Sequence, residues 1–209
     1  MRNCFELLLV SVIGGVLLVM LAGAIDTASA KKAFCEKNLK KLYLACAEYE
    51  ADHGVLPPVI VKSKPKWRFW IYFMAPYIKA DSDLACPADA RNENFFSGSS
   101  SPLAPVMGRG ANSYGMNYFL TASFAGKKGK SAKLENLSRP DRTLVFGDCK
   151  GPYMYPDRYW KEERSAWHEN ESVMLIQADG HVINLTQSNM GKADATGKFH
   201  YDLTRWMWI

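Results

Sequence analysis

The sequence has no C-x-x-C pair, no proline before Pro57 and no charged residue between Glu6 and Asp26. The first absence removes the spacing signature of a zinc knuckle or a thioredoxin-like site. The second leaves nothing to break a helix over the first 56 residues. The third defines one 19-residue apolar run, LLLVSVIGGVLLVMLAGAI from Leu7 to Ile25, and no other segment approaches it. A mean hydropathy of -0.19 excludes a polytopic membrane protein. With 48% hydrophobic and 22% charged residues, a wholly disordered chain is excluded too. What remains for 209 residues is one compact domain with appendages.

The formal net charge of +5 has a location. Residues 31–79 hold ten Lys and Arg against four Asp and Glu, whereas residues 80–209 hold fifteen of each. A nucleic-acid binder spreads its charge over a face with interleaved aromatics. An excess confined to the flank of the apolar run reads instead as a solvated basic surface near a membrane.

At about 1.5 Å per residue, a helix over Leu7–Ile25 roughly spans a bilayer's hydrocarbon core. It reads as a retained single-pass anchor. The competing reading is a signal peptide cut after Ala30, since Ala28-Ser29-Ala30 is a small-residue site. Against cleavage, the apolar run is longer than the usual h-region of about 7–15 residues. Beyond it, Cys35, Leu39, Leu42, Cys46 and Tyr49 recur at spacings of 4, 3, 4 and 3, which makes one helical stripe. Gly54 supplies a stop, with Pro57-Pro58 shortly after. The expected domains are an N-terminal spanning helix over 1–30, its amphipathic continuation over 31–56 and a globular α+β domain over 57–209.

In that globular part, Trp67–Ile78 reads as a short helix or a buried strand, and periodicity cannot separate the two. Strands are expected at Tyr114–Leu120, Thr143–Gly147, Ser172–Gln177, His181–Leu185 and Lys198–Trp208, with loops at 91–112 and 126–130. The clearest local signal is a hairpin whose two-residue primed turn is Asp179-Gly180.

Glu6 entering an apolar run, a helix reading Cys35-Glu36-Lys37-Asn38-Leu39-Lys40-Lys41-Leu42, and then Leu56-Pro57-Pro58 resemble type IV pilin-like proteins. Cys86-Pro87, Ser113-Tyr114-Gly115-Met116-Asn117 and His168…Asp179-Gly180-His181-Val182 make the chain similar to a subset of G-type pseudopilins of type II secretion. The resemblance implies a long helix packed on a small antiparallel sheet. It also implies a structural subunit, single-pass in the bacterial inner membrane, with its globular domain periplasmic or extracellular. Implied partners are other pilin-like subunits and a prepilin peptidase, although the residues around Phe5 and Glu6 depart from that enzyme's usual cleavage site. Glu6 and Phe5 become the assembly residues, with Glu6 set against a neighbouring subunit's N-terminal amine. His168, Asp179, Gly180 and His181 become a hairpin-turn motif. The alternative function is a secreted or periplasmic binding module released after Ala30, with Trp206 and Trp208 on a ligand face.

Cys35, Cys46, Cys86 and Cys149 would meet an oxidising compartment if exported. Cys35 and Cys46 lie 11 residues apart on one helix, about 16 Å of rise, too far to bridge each other. Two complete pairings stay open: 35–86 with 46–149, or 35–149 with 46–86. His168, His181, Asp179, Asp148 and Cys149 can be drawn as a Cys-His-Asp set, but nothing in their spacing demands it, and no enzyme is expected. No cofactor and no metal set is expected either. Calcium on Asp148 or Asp179 is the one metal option the resemblance raises, and the chain lacks a dense late acidic loop to hold it.

Overall fold

The computed structural model of the chain describes residues 2–63, 66–79, 81–89, 112–120, 133–154 and 168–186, with the backbone alone for 2–12, 15–27, 62–63, 66–67 and 81–82. The strand expected at Lys198–Trp208 and most of the loops expected at 91–112 and 126–130 lie outside these residues, as do Trp206 and Trp208.

Helix α1 runs unbroken from Arg2 to His53, 52 residues. It stops where the sequence says it should. Gly54 takes φ +71°, and its N–H reaches the Glu50 carbonyl at 2.7 Å. Only a residue without Cβ enters that left-handed position without strain. The whole expected stripe is buried: Cys35, Leu39, Leu42, Cys46 and Tyr49, with Asn38 and Ala45 filling between them. Burying each large apolar side chain contributes about 1.5–3 kcal/mol, whereas the exposed Glu36–Lys40 pair at 2.7 Å is worth about 0.2–0.5. Packing therefore holds this half of α1. Among the described side chains of α1 that packing begins at Cys35, since residues 29–34 are exposed.

Strands β1 (Ile60–Ser63) and β2 (Lys66–Phe69) form a small hairpin in which Ile60 pairs with Phe69. Helix α2 (Trp70–Met74) follows without a break, buries Trp70, Ile71 and Met74, and sets Trp70 against Phe146 at 5.0 Å between rings. The short-helix reading of the run at 67–78 thus holds at Trp70–Met74, whereas the strand that ends at Phe69 is not the buried one of the other reading, since Arg68 is exposed and Phe69 half-buried. A 3₁₀ turn at Asp81–Leu84 leads to Cys86.

The main sheet contains β3 (Tyr114–Asn117), β4 (Leu144–Asp148), β5 (Tyr153–Met154), β6 (Val173–Gln177) and β7 (Val182–Leu185), in the order β5-β3-β4-β6-β7. It is mixed, which corrects the expected antiparallel sheet: β3 and β5 pair in parallel. After β4 the chain reverses and crosses to the far side of β3, so β5 runs in β3's direction. The expected strand at Tyr114–Leu120 ends at Asn117 and continues as a 3₁₀ turn.

Both faces of the sheet are covered. In β6, Met174 and Ile176 join the core under α1, while Val173 and Leu175 join a second cluster with Leu144, Cys149 and Met154. Gly115 and Gly147 face each other across β3 and β4. A Cβ on Gly115 would lie 2.8 Å from Cys149 Cβ and 3.0 Å from the Tyr153 backbone carbon. That space lets β5 and Cys149 close over the strand.

The hairpin of β6 and β7 forms, but its turn differs from the expected one. Ile176 pairs with Val182, and the Gln177 N–H bonds to the His181 carbonyl at 2.9 Å, so the loop is three residues, Ala178 to Gly180. A primed two-residue turn of either type needs positive φ at its first residue, here Asp179, and of the two only Gly180 has it, at +85°.

Candidate metal centre

Four elements that are remote in sequence meet beside the buried face of α1. Cys35 comes from α1, Cys86 from the loop after the 3₁₀ turn, Asp148 from the end of β4, and His168 from the residue that opens the 169–171 turn. One potential ligand atom from each lies within 4.8 Å of all the others, and all four residues are buried.

Each arm is held by its own contacts. The Asn38 side-chain amide donates to the Ala85 carbonyl at 3.0 Å, and Lys41 pairs with buried Asp83 at 2.5 Å, so α1 grips the 81–86 segment within the two turns that follow Cys35. The Ser113 N–H bonds to the Leu84 carbonyl and the Cys149 N–H to the Ser113 carbonyl, which joins that segment to the sheet. Asp148 is fixed through Oδ2, which accepts the Met174 N–H at 2.7 Å. His168 precedes two successive non-glycine residues with left-handed backbone, Asn170 (φ 57°) and Glu171 (φ 51°), and bridges to Ser172. Such backbone is unfavourable for a residue like glutamate. Here it turns the chain tightly enough to enter β6 with the imidazole facing inward.

The distances inside the cluster are consistent. Cys35 Sγ lies 3.4 Å from Asp148 Oδ1, Cys86 Sγ 3.5 Å from His168 Nε2, and His168 Nε2 3.4 Å from Asp148 Oδ2. The Tyr114 hydroxyl donates to Cys35 Sγ at 3.3 Å. The charges follow from these neighbours. Cys35 is held far above the usual thiol range, first by sharing its proton with Cys86 and then by burial. Cys86 is drawn below that range, first by the Cys35 hydrogen bond and, against burial, by His168. Burial pushes the Asp148 carboxyl up to about 6, although His168 opposes it. Burial also works against a charged His168, but its bonds to Asp148 and Cys86 prevail and raise it to about 9. At neutral pH the cluster thus holds two anions, one cation and one thiol, with a net negative charge in a buried setting.

Residues 28–177 match the family described as Protein of unknown function (DUF1559). The chain belongs to this family. The matched region opens on α1 and closes with β6, so all four cluster residues lie inside it. No curated protein and no solved structure matches the chain.

The residues singled out from sequence are distributed in a way that sequence did not foresee. His168 is not part of the hairpin turn. It sits in the buried cluster, while Asp179 and His181 pair with each other at 3.0 Å on the surface, where Asp179 Oδ1 also accepts the His181 N–H. The Cys-His-Asp set does not assemble as drawn: His168 and Asp148 meet, with Cys86 and Cys35 beside them. Cys149 instead donates to the Tyr153 carbonyl at 3.3 Å and belongs to the second hydrophobic cluster.

Neither complete disulfide pairing is present. None of Cys35, Cys46, Cys86 and Cys149 is in a disulfide, Cys35 and Cys86 are neighbours, and Cys46 is packed among apolar side chains. Calcium prefers an all-oxygen shell, and Asp148 sits among sulfur and nitrogen instead. Phe5, Glu6, Leu7 and Ile25 all fall on α1, where the backbone alone is described. Among the described residues no helix is long and apolar enough to cross a membrane.

Proposed function

We propose that the protein is a membrane-anchored, pilin-like structural subunit of a type II secretion or related type IV filament system. One observation carries this reading: α1 is a single 52-residue helix, and among its described side chains packing on the sheet domain starts at Cys35. Some fifty ångströms of helix, at about 1.5 Å per residue, precede that point. A helix that outruns its own domain by this much needs other surroundings for its apolar residues, and the uncharged run at Leu7–Ile25 suits a bilayer and then the like helices of a filament.

On this reading Leu7–Ile25 anchors the chain in a bacterial inner membrane, and the sheet domain forms the outer surface of the assembly. Glu6, at the boundary of the apolar run, is the residue that docks one subunit on another, because a carboxylate there is costly unless paired. The subunit works by packing and carries out no catalytic step.

The test is the full chain expressed in a bacterial host, with its N-terminus sequenced and its neighbours captured by crosslinking. An intact apolar segment in the membrane fraction is expected, together with crosslinked oligomers. Glu6→Ala should abolish the oligomers and leave membrane insertion unchanged. A mature protein starting at Lys31 would replace this reading with that of a secreted binding module, and undiminished crosslinking in Glu6→Ala would remove Glu6 from the docking step.

A further inference from the structure

We propose that Cys35 Sγ, Cys86 Sγ, Asp148 Oδ1 and His168 Nε2 bind a single zinc ion in a closed tetrahedral site that fastens the sheet domain to α1. The argument starts from spacing. A tetrahedral zinc holds sulfur at about 2.3 Å and nitrogen or oxygen at about 2.0–2.2 Å, which sets ligand-to-ligand edges of about 3.4–3.8 Å. The sulfur–oxygen and sulfur–nitrogen edges here are 3.4 and 3.5 Å, and His168 Nε2 stands 3.4 Å from Oδ2, the other oxygen of the Asp148 carboxylate.

One of these distances fits a directly bonded network poorly. An N–H···O bond is usually 2.7–3.2 Å long. At 3.4 Å, His168 Nε2 stands beyond that from Asp148, although its 3.5 Å contact with Cys86 Sγ is an ordinary length for a sulfur acceptor. Four potential ligand atoms from four elements converge within 4.8 Å of one another, at spacings that also suit the edges of a zinc site.

Chemistry and charge agree with geometry. Two sulfurs, an imidazole and one carboxylate are a borderline-soft set that selects zinc over calcium or magnesium. Burial of all four residues leaves no position open for substrate or water, which marks a structural site. On binding, Cys35 and His168 each release a proton to solvent, so two thiolates, one carboxylate and a neutral imidazole face the dication. Supporting donors are already in place: the Tyr114 hydroxyl on Cys35 Sγ and the Met174 N–H on the Asp148 oxygen that faces away from Cys35. Such outer contacts orient ligands and tune affinity.

The experiment uses the full chain in detergent, purified under a phosphine reductant, stripped with a chelator, and titrated with zinc or cobalt(II). One ion per chain is expected. The cobalt form should show sulfur-to-metal charge transfer and tetrahedral ligand-field bands. Cys35→Ser and His168→Gln should each weaken binding at least tenfold, while Cys46→Ser and Cys149→Ser leave it unchanged. Tyr114→Phe keeps all four ligands, so it should retain the tetrahedral spectrum with affinity reduced about 10–100-fold. That variant also tests the site if a ligand variant fails to fold. The proposal is overturned if folded, reduced chain binds no zinc, if the cobalt form lacks sulfur charge transfer, or if binding survives Cys35→Ser undiminished. It is equally overturned if Cys35 and Cys86 are found as a disulfide in chain kept under the reductant.

Discussion

Among the described residues the molecule holds two histidine–aspartate pairs, and they have opposite characters. His168 and Asp148 are buried, with side-chain exposures of 4% and 0%, and stand 3.4 Å apart. His181 and Asp179 have exposures of 79% and 27% and stand closer, at 3.0 Å. The shorter contact is the weaker one energetically, because water screens it and competes for both partners. The buried pair cannot trade its partners for water, so its integrity matters far more. Distance alone misranks the two; burial ranks them correctly.

Breaking each pair should expose that ranking. Asp148→Ala removes the carboxylate from the cluster and leaves the Met174 N–H and the His168 ring buried without it. It should cost about 3–5 kcal/mol, read as a loss of denaturation midpoint for the full chain in detergent. A loss under 1 kcal/mol would mean that the buried pair is no more important than the exposed one. A smaller effect should follow from disturbing the frame without touching either pair. Gly115→Ala pushes a methyl group into Cys149 Cβ and the Tyr153 backbone beside β4, and should cost about 1–3 kcal/mol by the same measurement.

The smallest effect belongs to the surface pair. Asp179→Ala should cost about 0.5–1 kcal/mol, mostly through the lost bond to the His181 N–H. Burial nudges this carboxyl up, but the His181 backbone and ring outweigh it and hold it below the usual carboxylate range. A depressed folded pKa contributes stability that is present above the unfolded value and lost as pH falls through the folded one. The gap between wild type and Asp179→Ala should therefore be full near pH 7 and close below about pH 4. A gap that stayed constant on acidification would assign the effect to the alanine backbone instead of the carboxylate.

How much of this was legible in the sequence depends on how local each signal is. The stripe from Cys35 to Tyr49 and the stop at Gly54 could be read because helical periodicity and a left-handed glycine are properties of neighbouring residues. The hairpin at 173–185 was legible for the same reason, and only its loop length was not, because φ at Asp179 is set by the bonds that side chain makes. Strand β5 has two residues, too few to show any alternation, and the β1–β2 pair is almost as short. Belonging to the DUF1559 family fixes no residue's role, so the cluster had to be found from coordinates. Its residues were each visible: Cys35 on the buried stripe, Cys86 and His168 in quoted motifs, Asp148 beside a cysteine. Their grouping was not, and the neighbouring Cys149 was drawn in place of Cys86.

The sequence by itself determined a long uninterrupted helix, its apolar N-terminal run, its buried face and its end, because hydropathy and backbone preference act over a few residues at a time. Tertiary structure alone decided which of two aspartates and two histidines would be buried together with two thiols. That choice joins Cys35 to Asp148 across 113 positions. It depends on the order in which strands pair, on how α1 crosses β4 and β6, and on a tight turn after His168, none of which any short stretch of chain encodes.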